Sequence, residues 1–360
     1  MDAEHPTGNE HNARRAALGL LAVAAIVAVA GVAFSFLPHA KTAPPVATIA
    51  PTLPPVSPNP VIGLGFSVAP DPKADEVVLF GGLDGADRTW LLFDQTWEQA
   101  HPRTSPPDRS GAVAAYDPVT KLVMLFGGTL TTGKAVNDTW GWTGGTWQRL
   151  DSGANGPPPG QGAQMAWDVA NNDMVLVTNG EATNTAETWT WTDSSSGHRR
   201  WVRQPGGDLS VGVFGDVMAY NAIPNEQSMV LVTPVTPDSG ASVARTWNGS
   251  SWQVATSHGP DIGAMAWYPP DDSLLACGVA TYSESVSVQS DCWQWEGTQW
   301  MQQELVVPPP GSKQIIIEAE VSDSNNSRLI MFGWLIRSIP GQPQPLGVWA
   351  WDGRQWLQVA

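Results

Sequence analysis

The feature that most constrains this chain of 360 residues is a pattern of short strands that recurs about every 50 residues. The last Trp of each copy falls at Trp97, Trp147, Trp201, Trp252, Trp300 and Trp356. In the clearest copy, residues 111–150, polar turns separate four apolar segments, which read GAVAAY, LVMLFGG, DTWGW and TWQRL. Units of about 50 residues with four strands each are typical of propeller blades. The sequence therefore predicts an all-β, six-bladed β-propeller.

The six copies span about 61–100, 111–150, 162–204, 212–255, 262–303 and 314–359. The first copy is the most diverged, because only three of its strands are recognisable, at 76–82, 88–93 and 96–100. Gly and Ala recur in the first strand of the other copies, and Trp recurs in the third and fourth. Small residues suit the crowded centre of a propeller, and large aromatic residues fill the wider space between the outer parts of the blades.

The pattern resembles the kelch repeat, in which Gly-Gly ends the second strand and spaced aromatic residues mark the third and fourth. Gly81-Gly82 and Gly127-Gly128 match that doublet. The other copies depart from it, with Asn179-Gly180, Thr233-Pro234, Cys277-Gly278 and Gly333-Trp334. The resemblance covers residues 61–360 and implies a kelch-like propeller of the galactose oxidase-like superfamily. It implies no particular activity, because propellers of this kind serve many unrelated functions.

The same resemblance makes a copper radical site the first enzyme site to consider. Such a site needs two Tyr, two His and a Cys cross-linked to one Tyr, whereas residues 61–360 contain only His101, His198 and His258. Tyr116 and Tyr220 occupy equivalent positions of two copies, where Trp167 stands in a third, so we interpret them as blade-packing residues. The sequence predicts no copper site, no other metal site and no cofactor.

The N-terminal part predicts one membrane anchor. Residues 16–37 are 22 positions without a charge, enough for a helix to cross the hydrocarbon core. Arg14 and Arg15 precede them and only Lys41 follows, which predicts a cytoplasmic tail over 1–15 and an extracytoplasmic C-terminal part. A cleaved signal peptide is the alternative. Residues 38–60 contain eight Pro and predict an extended linker to a propeller over 61–360, and we expect a bacterial cell membrane.

The formal net charge of −16 argues against nucleic acid as a partner. Phosphate binding needs a basic surface, and the only local cluster of basic residues consists of Arg199, Arg200 and Arg203. The charge is typical of a protein that stays soluble through self-repulsion.

Two cysteines, Cys277 and Cys292, fall on the second and third strands of the fifth copy. These strands are neighbours in a blade, and an extracytoplasmic compartment can be oxidising. We therefore predict a disulfide. Two thiols without histidine at metal-site spacing are a poor metal site.

No hydrolase or phosphate-binding motif appears in the sequence, and no catalytic residue is predicted. Glu318 and Glu320 share one face of a predicted innermost strand, and Asp216 holds the position equivalent to Glu318 two copies earlier. We expect these three to be hydrated carboxylates that line the central channel. General acid/base catalysis or cation binding is the alternative.

The longer loops between second and third strands, together with the links between blades, are predicted to emerge on one face of the propeller. They comprise residues 129–137, 181–187, 233–244, 279–290 and 334–347, with links at 101–110, 151–161 and 205–214. Binding residues concentrate on loops of rigid scaffolds. The leading hypothesis is an anchored module that presents this long-loop face to a protein or glycan of the cell envelope. A carbohydrate-active enzyme and a passive structural component are the alternatives.

Overall fold

The computed structural model describes residues 60, 63–83, 87–93, 95–180, 185–193, 198–209, 216–224, 226–235, 241–260, 262–278, 292–303, 315–335 and 347–359. At residues 315, 316, 318, 334 and 335 it describes the backbone only. They belong to one compact unit, Pro55–Ala360. The predicted tail, the predicted anchor at 16–37 and nearly all of the predicted linker lie outside these residues. Within the described ranges, no helix is long and apolar enough to span a membrane.

Six four-stranded antiparallel sheets form the blades, and each is built from one continuous segment of the chain. Blades 1 and 2 consist of β1 (Phe66–Asp71), β2 (Glu76–Gly81), β3 (Thr89–Phe93) and β4 (Thr96–Ala100), then β6 (Val113–Asp117), β7 (Leu122–Phe126), β9 (Thr139–Trp142) and β10 (Trp147–Asp151). Blades 3 and 4 consist of β11 (Gln164–Asp168), β12 (Asp173–Asn179), β13 (Ala186–Asp193) and β14 (Arg199–Arg203), then β15 (Val217–Asn221), β16 (Ser228–Pro234), β17 (Ala241–Trp247) and β18 (Trp252–Pro260). Blades 5 and 6 consist of β19 (Ala264–Tyr268), β20 (Ser273–Cys277), β21 (Cys292–Trp295) and β22 (Trp300–Gln303), then β23 (Ile315–Asp323), β24 (Arg328–Leu335), β25 (Gly347–Trp351) and β26 (Trp356–Gln358). The all-β, six-bladed propeller predicted from the sequence is confirmed.

Strand positions explain the composition of the repeat. The second strands, such as LVMLF in β7, are buried on both faces because a neighbouring blade covers each face, so they are apolar without alternation. The innermost strands are edge strands around the axis. The first of them, β1, has no counterpart among the three strands recognised in the first copy.

The Gly127-Gly128 doublet follows β7 and turns the chain sharply. Both residues have positive φ, 69° and 94°. A Cβ on Gly128 would lie 2.8 Å from the carbonyl oxygen of Ser110, so only Gly fits there. Next to the doublet, the short strands β5 (Arg109–Ser110) and β8 (Thr129–Leu130) pair with each other.

Six apolar clusters join the six pairs of adjacent blades. The cluster between blades 6 and 1 contains Phe66, Trp97, Phe332 and Val348, and β1 contacts β23. Within the described residues, no sheet contains strands from both ends of the chain. The ring is therefore closed by side-chain packing.

Three of the six interfaces also carry the same hydrogen bond between blades. Trp147, Trp201 and Trp252, each in a fourth strand, donate their indole N–H to Thr89, Thr139 and Thr188 of the preceding blade, at 2.9, 2.8 and 2.9 Å. By strand register, the Thr position is Ala244 in blade 4, Cys292 in blade 5 and Val348 in blade 6. The corresponding indole N–H groups, of Trp300, Trp356 and Trp97, have no hydrogen-bond partner. We call the three bonds that form the Trp–Thr bonds.

Candidate functional site

The innermost strands of all six blades surround a central cavity of about 560 Å³. Most of its wall is Ala, Val and Met, as expected where six strands approach an axis. At one end, which we call the loop end, the strands begin beside Gly65, Gly111, Gly162 and Gly263. At the other, the turn end, they run into the first hairpin turn of each blade. This volume is within the range of small-molecule sites.

Four aromatic side chains surround the turn end of the cavity. They come from four consecutive blades and occupy the same register position, the last residue but one of the innermost strand: Tyr116, Trp167, Tyr220 and Trp267. All four line the cavity, and all but Tyr220 are partly exposed. Pro70 and Ser322 hold this position in blades 1 and 6. We call the four aromatic residues the aromatic collar.

The hairpin turns fix the backbone that carries the collar. The carboxylate of Asp117 accepts hydrogen bonds from the backbone N–H groups of Val119 at 2.9 Å and Thr120 at 3.3 Å. Asp168 accepts from the N–H of Ala170 at 3.1 Å. Such turns bring side-chain oxygens onto the backbone two residues ahead, which is why Asp and Asn recur directly after the collar position.

Arg199 of β14 packs against one residue of the aromatic collar. Its guanidinium carbon lies 5.4 Å from the centre of the Trp167 ring, a cation–π arrangement. The same guanidinium donates to Asp117 of blade 2 at 3.0 Å and lies 3.5 Å from Asp173. Its side chain is 8% exposed, and that of Asp117 is fully buried. One face of the Trp167 ring is therefore already occupied by a cation that joins blades 2 and 3.

The phenols of the collar have raised pKa values. Burial is the main cause for Tyr116, and the carboxylates of Asp71 and Asp117 add to it. For Tyr220, burial and the carboxylate of Asp168 raise the pKa. Both phenols are therefore neutral hydrogen-bonding groups at neutral pH.

The loop end of the cavity carries Asp216, one of the three acidic residues singled out from the sequence. Asp216 is 5% exposed and lines the cavity. Thr233 donates to its carboxylate at 3.4 Å, and Arg245 donates to the hydroxyl of Thr233 at 3.1 Å. Burial lowers the pKa of Arg245, and Asp216 opposes that change. Asp216 thus belongs to a hydrogen-bonded chain that runs through Thr233 to Arg245.

Glu320 lies in the wall of the same cavity, but its carboxyl group is enclosed. The residue is 8% exposed, and neither carboxyl oxygen has a hydrogen-bond partner. Burial raises its pKa well above the usual 4.5. At the same register the other blades have Val68, Ala114, Met165, Met218 and Met265. This enclosed carboxyl group differs from the hydrated channel carboxylate expected from the sequence.

Glu318 is the extra residue of a β-bulge. The register of β23 against β24 shifts between Ile317 and Ala319, and this interrupts the alternation from which a shared face with Glu320 was expected. The side chain of Glu318 lies outside the described part of the chain.

The predicted disulfide is confirmed: Cys277 and Cys292 are bonded. They face each other across β20 and β21, and both are fully buried. They lie in the cluster between blades 5 and 6, so the bond is part of the packing and not of the cavity.

The groups around the central cavity are suited to binding a small ligand. Aromatic faces beside a cavity present flat apolar surface with polar edges, and the adjoining backbone and the phenol of Tyr116 can hydrogen-bond a ligand. Across the ranges that the structure describes, no group of three His, Cys, Asp or Glu side chains is placed to hold a metal ion.

The long-loop face is described only in part. The loop 129–137 and the links 101–110 and 151–161 are described, whereas 279–290 and most of 334–347 are not. The prediction that this face binds the ligand stays a prediction.

Sequence reasoning noticed three collar positions but interpreted them only as packing residues. Each does contact an apolar cluster between blades, so packing is half of the role. The available signal was the repeated tetrapeptide ending in an aromatic residue and a turn residue, as in AAYD, MAWD and MAYN. What it could not indicate was that these positions meet around one opening.

Two solved structures have folds similar to that of this chain. The structure of YjhT matches with a TM-score of 0.53 at 13% identity, covering 84% of this chain and 99% of that one. The SapL1 lectin in complex with alpha methyl fucoside matches with a TM-score of 0.52 at 15% identity, covering 82% and 95%. At such identities the likeness shows the fold alone. No protein-family model and no curated protein sequence matches this chain.

Proposed function

We propose that this chain is a membrane-anchored, extracytoplasmic, kelch-type propeller that binds carbohydrate, with a sugar ring stacked against the aromatic collar. The observation that carries the proposal is the collar itself: four aromatic side chains at one register position around the mouth of a 560 Å³ cavity. Sugar rings have apolar C–H faces and polar edges, which suits partly exposed Trp and Tyr.

The similarity to a lectin complexed with a fucoside is compatible with this proposal. So is the fold, because a rigid propeller can hold a shallow site without rearrangement. The anchor remains part of the proposal on the sequence of residues 16–37 alone. A short cytoplasmic tail and a long linker would suit a protein that displays a binding head in the envelope.

A glycan array tests the proposal directly. The full-length protein in nonionic detergent should bind a defined set of glycans. Replacing Trp267→Ala should weaken that binding about tenfold, since an aromatic contact contributes up to about 1.5 kcal/mol.

Trp293→Ala is the matched control, because Trp293 is also partly buried but lies on β21, away from the cavity. Thermal unfolding of both variants would show whether each has folded. Equal affinity of the wild type and the Trp267 variant would overturn the collar as the site.

The long-loop face is tested in the same experiment. Thr131→Ala with Lys134→Ala changes the exposed loop that follows β8 and leaves the collar intact. If this variant loses the glycan and the Trp267 variant does not, the ligand binds on the long-loop face.

A further inference from the structure

We infer that the aromatic collar selects its ligand by charge: it accepts neutral and positively charged saccharides and excludes acidic ones. The inference rests on the proposed carbohydrate-binding function and names the ligand class of that site. Four observations at the turn end carry it.

The first is the imbalance of charge in the hairpin turns that border the collar. These turns span residues 71–76, 117–122, 168–173, 221–228, 268–273 and 323–328. Their ten acidic residues are Asp71, Asp75, Glu76, Asp117, Asp168, Asp173, Glu226, Asp271, Asp272 and Asp323. Their basic residues are only Lys73, Lys121 and Arg328. A ring of one sign around a cavity with low-dielectric walls focuses the field at its mouth.

The second is that the buried basic groups nearby are already neutralised. Arg328 donates to Asp323 at 2.7 Å, and Arg199 is paired with Asp117 and Asp173. Each guanidinium is therefore already paired with at least one carboxylate at the turn end. At the far end of the cavity, Arg245 has Asp216 beside it.

The third is that the field reaches the collar. Besides burial, Asp71 and Asp117 raise the pKa of the Tyr116 phenol, and Asp168 raises that of Tyr220. The carboxylates also repel one another, since Asp168 and Asp193 help to raise the pKa of Asp173. A negative group on a ligand would meet the same repulsion.

The fourth is that the collar already carries a cation on one of its rings. The guanidinium of Arg199 stacks over Trp167. The ring faces that remain have the same quadrupole, so an ammonium group would be attracted to them. Cationic amino sugars are therefore attracted both by the carboxylates of the turns and by the aromatic ring faces.

The experiment is a glycan array that contains neutral glycans, glucosamine oligomers, and uronic and sialic acid glycans. The full-length protein in nonionic detergent is probed at about pH 6 at low and high ionic strength. We expect the bound glycans to be neutral or amino sugars. For one backbone, the amino form should bind on the order of tenfold more tightly than the acidic form at low salt, and about 0.5 M salt should remove most of that ratio.

A variant with fewer carboxylates at the turn end tests whether these charges cause the selection. Asp75→Asn, Asp271→Asn and Asp272→Asn remove three exposed carboxylates at the turn end, and Asp75 and Asp272 have positive φ, which Asn tolerates. This triple variant should reduce the amino-to-acidic ratio about threefold. Asp87→Asn, Asp108→Asn and Asp208→Asn change the net charge equally on the opposite face and should leave the ratio unchanged.

The outcomes separate the two proposals. No bound glycan at all would overturn the proposed function and this inference with it. Bound glycans that are mainly acidic, or a ratio that ignores salt and the turn-end variant, would overturn the charge selection and leave carbohydrate binding intact. A weakening of about tenfold in Trp267→Ala, with the Trp293→Ala control unchanged, places the selected glycans at the collar.

Discussion

The two halves of the ring are held together differently. Between blades 1 and 4, each interface has a Trp–Thr bond in addition to its apolar cluster. From blade 4 round to blade 1, the Thr is replaced by Ala244, Cys292 or Val348, and three indole N–H groups are buried without a partner. The comparison teaches that apolar packing is sufficient to close an interface, and that the hydrogen bond is an addition to it.

The half without Trp–Thr bonds also contains the disulfide and the enclosed carboxyl group. Cys292 stands where blade 3 has Thr188, and its disulfide joins β20 and β21 within blade 5. Glu320 lies where three preceding blades have Met, and both of its oxygens are unsatisfied. This half therefore combines one strong constraint with several unsatisfied polar groups.

Removing the disulfide should have the largest effect. Cys277→Val with Cys292→Ala introduces the pair that blade 4 has, Val232 and Ala244. The bond closes a loop with a sequence separation of 15, so we expect a loss of about 3 kcal/mol in the free energy of unfolding. Denaturant unfolding under oxidising conditions measures it. If the variant were as stable as the wild type, the disulfide would not compensate for the missing hydrogen bonds.

Breaking a Trp–Thr bond should have the next largest effect. Thr139→Val leaves the indole N–H of Trp201 buried without an acceptor, and we expect a loss of about 2 kcal/mol. Thr178→Val is the control, because Thr178 is as deeply buried but its hydroxyl has no partner. Chemical denaturation should find the control unchanged or stabilised. Equal losses in the two variants would mean that the bond contributes nothing specific.

Replacing Glu320→Met should stabilise the half of the ring that lacks Trp–Thr bonds. The variant removes an unsatisfied buried carboxyl and restores the residue of blades 3 to 5, for a gain on the order of 1 kcal/mol. Because the folded-state pKa lies above 4.5, the wild type loses stability as the pH rises from 4.5 through the folded-state pKa. The gain should therefore grow with pH over that window. Glu320→Gln should remove this pH dependence but keep the unsatisfied polar group.

Adding a Trp–Thr bond should have the smallest effect. Val348→Thr is nearly isosteric and offers an acceptor to Trp97 at the interface of blades 6 and 1, for a gain of about 1 kcal/mol. Val230→Thr, at a fully buried position of β16, is the control and should destabilise the protein. A loss at both positions would show that the seam cannot form the bond.

The six blades could be predicted from the sequence because the strands of each blade lie close together in the chain. Short apolar segments, turn residues and the fourth-strand Trp recur in every copy, and a hairpin is specified by residues close together in the chain. The disulfide followed for the same reason, since Cys277 and Cys292 lie on adjacent strands. The strand β1 was missed because FSVAPD has neither the Gly nor the Ala-rich pattern of its counterparts.

The collar and the Trp–Thr bonds could not be predicted in the same way. Trp201 and Thr139 are 62 residues apart, and no pattern within one repeat indicates that they touch. The bulge at Glu318 inserts one residue into a strand whose sequence, IIIEAEVSD, reads as a regular continuation. Such features depend on how neighbouring blades meet, and one copy of the repeat does not contain that information.

Closure of the ring by packing has a mechanical consequence. Among the described residues the first strand is β1, which packs against β23 at the seam between the first and last blades. That seam is held by side chains such as Phe66 and Phe332, with no strand shared across it in the described residues. Tension applied to the chain ahead of Phe66 would load this seam before any other, so a tethered head of this design would yield first between blades 6 and 1.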